Sequence, residues 1–112
     1  MNNKDMMKIA SLLTDDYAIK ILVATYSKPR NAIEISQKLD IPIAACYRRI
    51  HALEAVGLIH AVEIATQRDR KIAYYASLLK NAYLFFEEGQ LKIRLEMING
   101  IEQLYEGQEI SI

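Results

Sequence analysis

The chain has 112 residues, of which 52% are hydrophobic and 25% charged, and its 14 basic and 14 acidic residues cancel to a net charge of zero. This length predicts a single domain over residues 1–112, and the composition excludes a disordered chain. The single cysteine excludes an intramolecular disulfide. No secretory h-region and no stretch of about 18 apolar residues is present, so we expect a cytoplasmic protein without membrane contact.

The charges are unevenly distributed along the chain. Residues 28–71 contain eight basic and five acidic residues, whereas residues 72–112 contain three basic and six acidic ones. The middle therefore carries +3 and the C-terminal part −3. An anionic partner is expected to bind the middle of the chain.

Two helices are predicted near the N-terminus. Apolar residues at helical spacing predict the first one: Met6, Ile9, Ala10 and Leu13. Thr14 is interpreted as the N-cap of the second, which runs to about Ser27 with Asp15 and Asp16 in its first turn. Apolar residues nearly encircle this second helix, which predicts a central position: Ala18, Ile19, Ile21, Leu22 and Val23.

A third helix and a tight connection follow. Asn31 and Glu34 resemble a capping box and predict a helix that buries Ile35 and Leu39. The sequence Asp40-Ile41-Pro42 predicts a short turn into the next helix, since proline is tolerated where a helix begins.

The fourth predicted helix, residues 43–56, has two distinct faces. At about 100° per residue, Cys46, Ile50 and Leu53 fall on one face, which we predict to be buried. Arg48 lies almost opposite, and Gly57 supplies the C-terminal stop.

Two β-hairpins are predicted after this helix. Residues 58–76 change to a period of two, with a basic tip at Thr66–Lys71. A second hairpin joins Tyr83–Phe86 to the alternating segment Leu91–Met97. Ile98–Tyr105 is predicted as a short closing helix, and the last residues are expected to fray.

The sequence contains no motif for catalysis or for a cofactor. There is no Gly-rich phosphate loop, GxSxG or HExxH, and Cys46 and His51 lie roughly 140° apart on the helical wheel. His60 adds a third ligand-type residue, but no CxxC or HxxxH spacing occurs. We therefore expect no enzyme, cofactor or metal site, and we interpret Cys46 as a small buried apolar residue.

The helices and the basic hairpin together predict DNA binding. Two short helices with a tight turn, followed by a hairpin, can place one helix in the major groove and the hairpin on the DNA backbone. Arg48, His51 and Tyr47 then face DNA, and the planar arginine fork suits guanine or phosphate. The alternative is that Arg48 and Arg49 are solvated and pair with Glu54 or other acids.

The segment IEISQKLDIPIAACYRRIHALEAVGLI resembles the winged helix-turn-helix of ArsR-type transcriptional regulators, particularly the short archaeal ones. Leu53-Glu54 and Gly57-Leu58-Ile59 match the family's "LExxGLI" ending, and Tyr47-Arg48-Arg49-Ile50 matches its "vyRxL" segment. The resemblance covers about residues 15–77. It implies an α+β, mainly α fold and a dimeric transcription regulator, with residues 31–39 as supporting helix, 43–56 as recognition helix and 68–71 as wing.

The chain departs from that family in three respects. Ala44 and Ala45 stand where such helices often carry Ser or Thr, so few side chains remain for base recognition. The cysteine-rich motif of the metal-sensing members is absent. The second hairpin lies outside the common pattern, and residues 1–14 and 78–112 are interpreted as dimerisation or accessory elements.

A homodimer is expected because two protomers read half-sites about one helical turn apart. The predicted interface residues are Met6, Ile9 and Leu13, the face of Leu91–Met97 and the surroundings of Leu104. The alternative for residues 6–13 is packing onto the chain's own core. A small-molecule effector at the interface is a further hypothesis, with a pocket lined by Tyr74, Tyr75, Tyr83 and Phe85.

The sequence thus predicts a sequence-specific regulator that binds double-stranded DNA. Arg48 and His51 are expected to approach bases, and the remaining cations to neutralise phosphates. The complete set of predicted DNA-binding residues is Lys38, Ala44, Ala45, Tyr47, Arg48, Arg49, His51, Arg68, Arg70 and Lys71. The alternative function is a winged-helix module that binds another protein in a larger complex.

Overall fold

The structure, a computed structural model, describes residues 5–107. Within them the helices are α1 (Met6–Leu13), α2 (Asp16–Ser27), α3 (Ala32–Leu39) and α4 (Ile43–Ala55). The strands are β1 (Arg30–Asn31), β2 (Ile59–Gln67), β3 (Arg70–Ser77), β4 (Leu79–Glu87), β5 (Gln90–Met97) and β6 (Glu102–Glu106). The predicted α+β class is confirmed, but helix and strand content are about equal because residues 59–106 contain five strands and no helix. No helix among residues 5–107 is long and apolar enough to cross a membrane.

The first two helices meet at a cap that differs from the predicted one. The Thr14 hydroxyl donates back to the carbonyl of Ala10 at 2.8 Å, so Thr14 ends α1 and does not begin α2. The extended backbone of Asp15 instead places its carboxylate to accept from the N–H of Ala18 at 2.9 Å. Asp15 is therefore the N-cap of α2.

The second helix is covered on one side only. Ala18, Ile21 and Leu22 are buried, whereas Ile19 and Val23 are 41% and 67% exposed. The prediction of a central position for α2 is therefore wrong. Apolar residues lie on nearly every side of the helix, but apolar side chains are also common on protein surfaces, so their presence did not require burial.

The connection between α3 and α4 follows from local chemistry. Asn31 caps α3 by accepting from the N–H of Glu34 at 2.8 Å, as predicted. Asp40 takes a left-handed conformation (φ 54°), and the N–H of Ile41 donates to the Ser36 carbonyl at 3.0 Å. The chain then turns at Pro42 directly into α4.

The fourth helix buries the predicted face and ends at the predicted glycine. Cys46, Ile50 and Leu53 are fully buried. Gly57 has φ 78°, and the N–H of Leu58 donates to the Leu53 carbonyl at 2.9 Å. This pattern is a Schellman motif, which places a glycine where another residue would be strained.

The first sheet contains the predicted hairpin, in the strand order β1-β3-β2. Arg68 and Asp69 both have positive φ (48° and 62°), as a two-residue type I′ turn requires. The tip is narrower than predicted, because Thr66 pairs with Lys71 and Gln67 with Arg70 in the β2–β3 ladder.

The second sheet, in the order β4-β5-β6, confirms the second hairpin but overturns the closing helix. Residues 102–106 form β6 and pair with β5. The reason is the turn at Asn99-Gly100: Gly100 has φ 89°, and its N–H donates to the Met97 carbonyl at 3.0 Å. The predicted fraying concerns residues 108–112, which lie outside the described residues.

The hydrophobic core joins the helices to one face of the second sheet. Ile93, Leu95 and Met97 of β5 are buried in the same cluster as Met6 and Ile9 of α1. The predicted interface residues of α1 and β5 therefore pack within the chain, which for α1 is the alternative given above, whereas Leu104 of β6 is 40% exposed. The apolar face of an amphipathic element can be buried either by the chain's own core or by a second protomer. The sequence therefore did not distinguish the two.

Candidate nucleic-acid interface

The surface of α4 opposite the core carries four exposed side chains of the predicted interface. These are Ala44, Tyr47, Arg48 and His51. The rings of Tyr47 and His51 lie with their centroids 6.2 Å apart and tilted by 39°. Within residues 5–107 Arg48 forms no ion pair, so its guanidinium is available to an anionic partner.

Ala45 does not belong to this exposed surface. Its side chain is buried in the core cluster together with that of Cys46. It points inward because α4 packs against both α2 and α3, which widens its buried face by one position. Its burial therefore contradicts the prediction that Ala45 faces DNA.

Arg49 is held by an acid of another helix. Its Nε and Nη2 donate to the two carboxylate oxygens of Asp15 at 3.0 and 3.2 Å, and its guanidinium lies 5.6 Å from the ring centroid of Tyr17. The hydrogen bonds from Arg49 lower the pKa of Asp15, and those to Asp15 raise the pKa of Arg49. Arg49 therefore fixes α4 to the start of α2, and we withdraw its predicted role at phosphates. The alternative of acid pairing applies to Arg49, with Asp15 as the acid in place of Glu54.

The basic hairpin tip presents the second group of predicted residues. Arg68, Arg70 and Lys71 are all exposed. Arg68 and Arg70 line an open hollow whose far wall is Ile33, in the first turn of α3. The tip thus lies on the side of the molecule where α3 begins.

Lys38 lies apart from the hairpin tip. It occupies the last turn of α3 and forms an exposed ion pair with Glu34 at 3.5 Å. It lines a different surface, an apolar groove of about 460 Å³ between α2 and α3 that also contains Ile19 and Val23. The structure therefore does not bring Lys38 together with Arg68.

The ligand-type residues do not assemble into a reactive site. The Cys46 thiol is buried and directed at the Ala32 carbonyl at 3.5 Å, and burial raises its pKa. His51 and His60 are exposed. Among residues 5–107 no three His, Cys, Asp or Glu side chains come close enough to hold a metal ion. Cys46 acts as a packing residue of α4.

The aromatic residues of the predicted effector pocket lie in different sheets. Tyr75 is buried on β3, where the pKa of its hydroxyl is raised chiefly by burial. Tyr83 is exposed on β4 and stacks on Arg94, whose guanidinium lies 4.4 Å from the ring centroid. This arrangement does not support a common pocket for a small-molecule effector.

Two features of this surface were missing from the sequence interpretation. The Asp15–Arg49 pair joins residues 34 positions apart, and no local pattern signals it. Ile33 beside the hairpin tip was detectable in principle, since it lies off the face of α3 that carries Ile35.

No protein-family model matches the chain, and no curated protein matches it significantly.

Proposed function

We propose that the chain is a winged helix-turn-helix DNA-binding protein that regulates transcription as a homodimer. In this proposal α4 enters the major groove and the β2–β3 hairpin is the wing on the DNA backbone. The observation that carries it is that one chain presents both an exposed basic hairpin tip and an exposed α4 face, on which Arg48 forms no ion pair within residues 5–107.

The chemistry of the α4 face suits the edges of base pairs. A guanidinium without an acid partner can donate two parallel hydrogen bonds to O6 and N7 of guanine. Arg48 meets this condition, and His51 lies one turn away on the same exposed face. Ala44 and Tyr47 offer apolar contact to thymine methyl groups.

The attachment of α4 to the rest of the chain favours recognition. Three fully buried side chains, Cys46, Ile50 and Leu53, fix one face, and the Arg49–Asp15 pair fixes the helix against α2. A helix held in this way presents Arg48 in a defined orientation, which reduces the ordering cost of binding.

The wing supplies contacts that do not depend on sequence. Arg68, Arg70 and Lys71 lie at or beside a two-residue turn, and Arg68 and Arg70 line the same hollow. Cations placed in this way neutralise phosphates and release counterions. Most of the salt dependence of binding is therefore expected from the wing.

Binding of a protein partner is the second candidate function. The apolar groove between α2 and α3 and the net charge of zero favour it. Under this alternative, substitutions in the groove weaken partner binding, and Arg48→Ala has no effect.

The test is fluorescence anisotropy with a random-sequence duplex between 50 and 200 mM salt. With the three wing cations on phosphates, affinity should fall roughly fortyfold per protomer over this range. Arg68→Ala/Arg70→Ala should reduce the magnitude of the salt slope by about two. Lys8→Ala, an exposed cation on α1, is the matched control and should leave the slope unchanged.

Arg48→Ala separates base recognition from phosphate contact. On an operator obtained by selection from random DNA it should weaken binding by about 1–3 kcal/mol and relax one base position. A wild-type protein that binds no duplex at 50 mM salt would overturn the proposal and place the protein-binding function first.

A further inference from the structure

The strand β4 lies at the edge of the second sheet. Among residues 5–107 it pairs with β5 on one side only. Residues 80–84 are all exposed, as are Phe86 and Glu87. An edge strand of nine residues presents a row of unpaired backbone groups, which is a template for another strand.

The turn into β5 determines which backbone groups face the free edge. Glu87 pairs with Gln90 across the two-residue turn Glu88-Gly89, so this closing pair exchanges its N–H and C=O groups. Because the pattern alternates along an antiparallel strand, Phe85 and Tyr83 also point these groups at β5. Ala82, Leu84 and Phe86 therefore direct theirs to the free edge.

The side chains of those three residues continue the buried face of the sheet. Leu84 is paired with Ile93 and Phe86 with Leu91, so each pair shares a face. Ile93 is fully buried under the helices, whereas Leu84 is 42% and Phe86 78% exposed. The apolar surface thus extends beyond the chain's own core and ends at an open edge.

We propose that two copies of the chain pair through antiparallel β4 strands, with the two-fold axis beside Leu84, to form a continuous six-stranded sheet. Leu84 then lies opposite Leu84 of the partner subunit, and Ala82 lies opposite Phe86 of the partner subunit. Ala82, Leu84 and Phe86 then all exchange backbone hydrogen bonds with the partner strand. The small side chain of Ala82 lies beside the large one of the partner's Phe86.

The distribution of charge favours a second copy of this chain as the occupant. Lys80 lies near the start of β4, and Glu88 follows its end. Antiparallel pairing in the stated register brings Lys80 to the end that carries Glu88 of the partner subunit, and two-fold symmetry repeats the contact. A parallel pairing would place like charges together.

The proposed function requires a homodimer, and this pairing names the interface of that homodimer. It rests on the edge strand alone and holds whether or not the chain binds DNA.

Light scattering after size exclusion is the first test. Wild type is expected at twice the 12.8 kDa chain mass, and Leu84→Lys at the monomer mass. The substitution places two like charges opposite each other on the axis and raises the dimer dissociation constant on the order of a hundredfold. Ile101→Lys is the matched control and should remain dimeric, since Ile101 is similarly exposed but lies directly before β6, away from the β4 edge.

Disulfide trapping tests the register. Leu84→Cys should form a covalent dimer on mild oxidation, because a hydrogen-bonded pair has a Cα separation of about 5.5 Å. Tyr83→Cys should not form a covalent dimer. In this register position 83 lies opposite position 85 of the partner subunit, so the two introduced cysteine side chains are two positions out of register. The native Cys46 is buried and stays in place in both variants.

The outcomes separate this proposal from that of DNA binding. A monomeric wild type overturns the pairing even if DNA is bound. Trapping through Tyr83→Cys but not Leu84→Cys overturns the register, as does a dimer unaffected by Leu84→Lys. A trapped Leu84→Cys dimer that ignores duplex DNA supports the pairing and counts against the DNA function.

Discussion

Asp15 has two roles that substitution can separate. Its carboxylate caps α2 by accepting from Ala18, and it receives both donors of the Arg49 fork. Asparagine caps helices as well as aspartate but carries no charge. Asp15→Asn should therefore weaken the pair and keep the cap, whereas Asp15→Ala removes both.

The magnitude follows from exposure and geometry. The side chains of Arg49 and Asp15 are 29% and 28% exposed, between a surface pair and a buried one. With two charge-assisted hydrogen bonds, loss of the charge should cost about 1 kcal/mol. Loss of the cap should cost a further ~1 kcal/mol. Each step should lower Tm by about 4 °C in a domain of this size.

The effect should also depend on pH with a defined sign. Arg49 holds the pKa of Asp15 below its usual value, so the folded state favours the ionised carboxyl. This stabilisation is complete above the unfolded pKa of about 4 and is lost as the pH falls through the lower folded value. The stability gap between wild type and Asp15→Asn should therefore narrow below about pH 4.

Urea denaturation followed by circular dichroism from pH 7 to pH 3 measures this gap. Asp16→Asn is the control, since its pair with Lys20 is mostly exposed and should change stability little. A gap that stays constant down to pH 3 would refute the assigned role of the Asp15 charge. So would an Asp15→Asn variant as stable as wild type at pH 7.

Substitutions at three further positions test the packing and the caps by urea denaturation. Leu53→Ala removes a fully buried side chain under α4 and should cost about 3 kcal/mol. Gly57→Ala meets no atom within 4 Å but must keep φ 78°, so it should cost about 1 kcal/mol, from strain alone. Asn31→Ala removes the cap of α3 and should cost about 1 kcal/mol, and Asn31→Ser should restore most of it.

The sequence predicted elements whose signals are local. The cap at Asn31, the stop at Gly57 and the change of period after Leu58 lie within a few residues of what they determine. The closing helix was wrong for a related reason. Asn99-Gly100 is itself a local turn signal, which the prediction of a helix did not take into account. The turn allows Glu102–Glu106 to pair with β5 as a strand.

Packing partners were predicted poorly because a hydrophobic face does not specify what covers it. Ile93 and Leu84 are cross-strand neighbours on one face, yet the helices cover only Ile93. The sequence therefore assigned an interface to β5, whereas the exposed apolar surface lies on β4. The difference depends on how far α1 and α2 reach across the sheet, which is set by tertiary geometry and not by periodicity.

The candidate site shows the same limit at two adjacent residues. Arg48 and Arg49 differ on the helical wheel by only about 100°, and the sequence interpretation gave both a place at DNA. The structure directs Arg49 to Asp15, 34 positions earlier, and leaves Arg48 without an acid partner among residues 5–107. Under the proposed function, Arg49→Ala should weaken DNA binding and stability together, whereas Arg48→Ala should weaken binding at unchanged stability. Equal loss of stability in both variants would mean that Arg48, too, serves the fold.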